Sequence, residues 1–201
     1  MIRHRRAKEP AQFNSKCRLP GKQWLERTKS ARSRPKDYWS AFQPDLCIAF
    51  RRLCAFQAIN IGACGTVDHL EPTSSHPKLA YEWRNYRYCE ARMNSRKNNR
   101  GSKEILDPFE VRDDWFEIIL PSLQMKLTDR VPAEKQIRAQ ATLRLLGLDH
   151  HETVLRARSE ILEAYLRGEL TLKGLHAWAP LIASAVERED WKPYAVVTST
   201  S

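Results

Sequence analysis

Gly65-Thr66-Val67-Asp68-His69-Leu70, followed after a loop by Ala80-Tyr81-Glu82-Trp83-Arg84-Asn85-Tyr86-Arg87-Tyr88-Cys89-Glu90-Ala91-Arg92-Met93-Asn94-Ser95-Arg96-Lys97, is the stretch that decides the reading of this chain. The first run is β-branched and apolar between a glycine start and a Glu71-Pro72 stop, which predicts a short strand with Asp68 and His69 at its end. Thr73 to Lys78, with two serines, a histidine and a proline, is expected to be an exposed loop. From about Tyr88 to Asn98 no glycine or proline interrupts the chain, and a helix of about three turns is expected there. On that helix Asn94 and Lys97 are three residues apart and share a face.

These residue types suit one kind of chemistry. Asp68 and Asn94 offer oxygens to a cation, His69 an imidazole, and Lys97 an ammonium. A hard divalent ion takes few protein oxygens and keeps waters and substrate phosphate as its other ligands. A neutral imidazole can accept the proton of an attacking water. The set is what a one-metal phosphodiester hydrolase requires. A second Asp-His pair, at Asp149-His150-His151-Glu152, has the spacing of a helix capping box and is read as structural.

The order Asp-His on a strand, a middle Asn, then Asn-x-x-Lys on a helix resembles the HNH, or His-Me finger, ββα-metal nucleases. The resemblance covers roughly residues 54–108, about a quarter of the chain. It implies that His69 is the general base and that Asp68 and Asn94 hold Mg²⁺ or Mn²⁺. It also implies that Asn85 ties the loop together and supports the histidine, while Lys97 contacts phosphate with Arg96 and Arg100 nearby. The nuclease domain of RNA-guided CRISPR effectors has a similar order, but the wording V-D-H, A-Y-E-W-R-N-Y-R and M-N-S-R-K, followed by L-D-P-F, more nearly resembles bacterial members encoded in anti-phage operons, such as the nuclease subunit of Septu-like systems. That likeness implies a partner ATPase subunit; the chain itself has no phosphate-binding glycine loop, so any ATP-driven step would fall to another chain. Many relatives bind a structural zinc through two C-x-x-C pairs. Here Cys54 is followed by Gln57, and Met93 precedes Asn94, so a four-cysteine zinc site is not expected.

The charge is unevenly spread. Residues 1–60 hold 14 Lys and Arg against 4 Asp and Glu, residues 61–107 hold 8 against 6, and residues 108–201 hold 12 against 14. A basic N-terminal arm over residues 1–44, with Arg3, Arg5 and Arg6, is therefore expected to add non-specific affinity for DNA or RNA. Most of residues 1–36 is expected to be irregular, with Trp24 and Leu25 anchoring it. Asp45 is expected to cap a helix running to about Phe56.

Beyond the candidate core at residues 45–108, residues 115–127 alternate as a β-hairpin. From Pro132 the period becomes helical, with Ile137, Ala141, Leu145 and Leu148 on one face of a helix that Gly147 helps to end. A second helix starts at Asp149, and a third spans about Leu170 to Glu187, divided by Pro180. The fold class expected is α+β, a ββα core with a hairpin and a helical C-terminal region. Five cysteines without a paired framework and no membrane-length apolar run fit a cytoplasmic protein. The alternatives are a catalytically inactive nucleic-acid-binding protein of the same shape and an assembly subunit.

Overall fold

The computed structural model describes residues 1–28 and 34–193. It is a mixed α and β structure, with two small antiparallel sheets and seven α-helices among the described residues. The first sheet pairs β1 (Thr66–His69) with β2 (Tyr86–Cys89), setting Asp68 opposite Arg87 and His69 opposite Tyr86. The sequence expects helix from Tyr88; instead Tyr88 and Cys89, both fully buried, complete β2. Helix α3 (Ala91–Lys97) follows directly and lies against β1.

The N-terminal stretch is the main departure from expectation. Residues 14–27 are helical, a π-type turn over Asn14–Arg18 leading into α1 (Leu19–Arg27). The residues before it have no regular structure but are pinned: Met1 and Ile2 are buried, His4 N–H donates to the Pro108 carbonyl, and the Trp83 indole donates to the Ala7 carbonyl. Phe13 meets the rings of Phe42, Trp83 and Tyr86 edge-on. At Gly21 a Cβ would stand 2.2 Å from the Tyr81 ring, so only glycine lets α1 approach this closely. Aromatic packing here outweighs the solvation of a basic, glycine-poor segment.

Helix α2 (Gln43–Ala49) starts before Asp45 and ends early, because Arg51 and Arg52 both turn to positive φ. Ile48, on this short helix, is left exposed. The hairpin forms as expected from β3 (Phe116–Ile118) and β4 (Met125–Leu127). Helix α4 (Ala133–Leu146) ends at Gly147 in a left-handed turn, with Leu148 N–H bonded back to Leu143. Its buried face is Ala139, Thr142, Leu143 and Leu146, and Ile137 points outward. Thr142 decides that choice: its hydroxyl donates to Arg138 and accepts from the Leu106 amide, which fixes the helix's rotation.

Helix α5 (Glu152–Leu166) is capped by His151, whose ring accepts from Thr153 N–H; Asp149 instead bonds the His150 ring. Pro180 separates α6 (Leu172–Trp178) from α7 (Pro180–Arg188). No described helix is long and apolar enough to cross a membrane.

Beneath the first sheet, Arg87 makes a bidentate pair with Asp107, at 2.8 and 2.6 Å, and stacks on Phe109. Its remaining nitrogen donates to the carbonyls of Arg84 and Tyr86. Both charges are buried, so removing one strands the other. Asp107→Ala is expected to cost about 3–5 kcal/mol of stability, read as a lowered urea midpoint.

Candidate active site

The end of β1 is built by hydrogen bonds that leave one polar atom each of His69, Asp68 and Asn94, three residues lining one cleft, without a partner among the described residues. Ala80 O accepts from Tyr86 OH at 2.7 Å and lies 2.9 Å from His69 Nε2. A carbonyl can only accept, so Nε2 carries the ring proton and Nδ1 holds the lone pair. Among the described residues Nδ1 has no partner. The ring is wedged edge-on between Trp39, at 4.6 Å, and Tyr86, at 5.0 Å. Burial in this aromatic slot lowers the His69 pKa to about 4, against the pull of the Ala80 bond, and Lys97 adds to the lowering. His69 is thus neutral at neutral pH.

Thr66 orients Asn94 by the same kind of argument. The Thr66 hydroxyl donates its one hydrogen to Cys89 O, so it can only accept from Asn94 Nδ2, 3.2 Å away. The Asn94 carbonyl oxygen is thereby freed. Thr66 and Asp68 alternate onto one face of β1, and Asn94 and Lys97 lie one turn apart along it. Lys97 Nζ donates to His69 O at 2.6 Å and pairs with Asp68 Oδ1 at 3.1 Å. Asp68 Oδ2 is buried with no partner among the described residues. Burial pushes the Asp68 carboxyl up, opposed by Lys97 and Arg87.

Asn85 closes the loop above. Its carbonyl accepts from Glu71 N–H, and its amide donates to Glu71 O and Leu79 O, next to the Ala80 carbonyl that holds His69. Asp68, His69 and Asn94 then line one cleft of about 850 Å³. Its cationic lining comes from Arg34 and Lys78, and Trp24 and Trp39 supply flat apolar wall.

The other sequence-assigned residues lie elsewhere. Lys97 is buried, with its ammonium on Asp68 and the His69 carbonyl, so the phosphate contact expected of it is not its visible role. Arg96 is turned to the His151 ring and Thr153, and Arg100 caps the carbonyls ending α3. Arg3, Arg5 and Arg6 are exposed and none lines the cleft. Arg34, Lys78, Trp24 and Trp39 carried no motif; α1, the segment after it and the loop after β1 each bring part of this lining.

A cation fits this donor set. The unpartnered Asp68 oxygen and the freed Asn94 oxygen suit a hard ion that takes its remaining ligands from water and substrate. Among the described residues no three His, Cys, Asp or Glu side chains gather into a cage, so these two oxygens would be the protein's share. Cys54 and Cys89 stand with sulfurs 3.9 Å apart, while Gln57 bonds Glu90 and Met93 is buried.

No protein-family model matches this sequence, and no curated protein matches it.

Two measurements probe the construction. Asn85→Ala leaves the Glu71 amide and carbonyl unpaired and removes one of two hydrogen bonds to the Leu79 carbonyl, and is expected to lower stability by about 1–3 kcal/mol, read from urea unfolding. The second concerns acid. Burial also lowers His4, to about 3, with Arg51 adding to the effect. An unfolded imidazole binds its proton near 6.5, so between there and about 4 the unfolded chain binds protons that the folded chain refuses. The stability that these two histidines contribute is complete above about pH 6.5 and is lost as pH falls toward 4; urea midpoints across that range should decline, with His69→Phe shallower.

Proposed function

We propose that the chain is a metal-dependent endonuclease of the HNH type, hydrolysing phosphodiester bonds of DNA or RNA. The observation that carries the reading is that His69, Asp68 and Asn94 line one cleft, and that His69 Nδ1, Asp68 Oδ2 and the Asn94 carbonyl oxygen have no partner among the described residues. His69, neutral and locked in one tautomer, accepts a proton from water at Nδ1. Asp68 and Asn94 would hold Mg²⁺ or Mn²⁺, which when bound offsets charge on the scissile phosphate and leaving oxygen. Lys97 positions Asp68 and the strand end, and Asn85 holds the loop whose next carbonyl orients the imidazole. Lys78 and Arg34, in the cleft wall, contact neighbouring phosphates. The β1–β2 ribbon followed by α3 matches the order of the resemblance. The partner ATPase and the role in anti-phage defence rest on that resemblance alone.

Cleavage of supercoiled plasmid and of total cellular RNA, with Mg²⁺, Mn²⁺ or chelator, tests the reading. The parent should cut at least one substrate only with a divalent ion. His69→Ala should slow it by about 10²–10⁴-fold, and Asn94→Ala should raise the metal concentration required. Binding without cleavage under every ion would replace the enzyme by a binding protein of the same shape.

A further inference from the structure

We infer that the cleft takes a strand free of its complement, with Trp24 as the platform on which a base beside the scissile phosphate stacks. The inference rests on the nuclease reading and names its substrate class. Asp68 is only 2% exposed, so the reacting phosphate must descend to a recessed floor. The walls above that floor are α1, carrying Trp24, and the loop carrying Lys78. In a duplex each phosphate is held on a stiff, paired backbone, and bringing it into a recess costs bending or unstacking. An unpaired nucleotide can turn its base aside and lower its phosphate.

The two indoles differ in what they can still do. Trp39 is committed, packed on His69 and Tyr81. Trp24 is half-buried, has no ring partner among the described residues, and lines the cleft at the end of a helix fixed by Gly21 against Tyr81. Such a side chain offers a rigid aromatic face, and stacking tolerates any base.

The floor continues past the candidate metal ligands. Asn98 ends α3 at φ +50, an uncommon conformation for a side chain-bearing residue, and with Asn99 extends a second hollow along Thr66 and Ser95. Amides there can both donate to and accept from exposed base edges, which only an unpaired strand presents in full. Arg34 borders both hollows and supplies positive charge along the track.

Fluorescence anisotropy with labelled oligonucleotides tests this, in chelator so that nothing is cut. Single-stranded DNA and single-stranded RNA of one sequence, and the DNA duplex, are titrated with the parent, Trp24→Ala and Trp24→Phe. At least one single strand should bind about tenfold or more tightly than the duplex. Trp24→Ala should weaken that single strand by about 5- to 150-fold, the range for one stacked base, while Trp24→Phe stays within about threefold of the parent. Circular dichroism of both variants checks that α1 is retained. Equal affinity for single strand and duplex, or a single-strand affinity untouched by Trp24→Ala, overturns the inference and leaves the nuclease reading standing. No binding of any oligonucleotide overturns the inference, while the nuclease reading stands or falls on the cleavage assay with divalent ion.

Discussion

The buried ammonium of Lys97 is the contact on which the rest of the site depends. It is bonded at once to a side chain, the Asp68 carboxylate, and to the backbone, the His69 carbonyl. One residue on α3 therefore fixes both the strand end and the charge of its neighbour. A buried ion pair is seldom a strong source of net stability, because desolvation offsets most of the attraction. Its worth here is positional. The pair uses Oδ1 and leaves Oδ2 buried without a partner among the described residues, so only half of the carboxylate is held.

A second layer of order comes from the aromatic residues behind His69. Phe13, Trp83 and Tyr86 pack edge to edge, and Tyr86 passes its hydroxyl hydrogen to the same carbonyl that takes the His69 proton. Cys17, on the helical N-terminal segment, sits 3.6 Å from that hydroxyl. The N-terminal segment thus reaches the imidazole through two links. A stretch whose composition is dominated by Arg and Lys still places Phe13, Cys17 and Gly21 on one side, and these buried residues determine where it lies.

How much of this the sequence disclosed follows from how local each determinant is. The strand with Asp68 and His69, the shared face of Asn94 and Lys97, the hairpin, the glycine stop at Gly147 and the break at Pro180 all follow from neighbours within a few residues. What did not show was set at a distance. Spacing puts Lys97 on the face of Asn94 but says nothing of a carboxylate waiting beneath it. The rotation of α4 turns on Thr142 receiving the Leu106 amide, a polar bond invisible to an apolar count, and Ile137 is misplaced as a result. Both His151 and Asp149 can cap a helix, and the chain uses the later one. Trp24 borders the cleft only because Gly21 meets Tyr81, a residue far along the chain.

The outward side of α3 carries one more consequence. Arg96 reaches His151 and Thr153 at the start of α5, while the turn after α3 hangs on α4 through Leu106 on Thr142 and Arg138 on Ser102. The short ribbon and helix that bear the candidate chemistry are therefore grafted into their surroundings on every side. They do not form a cassette that could be excised and carried to another protein. Arg96 ties the start of α5 to the same helix that carries Asn94.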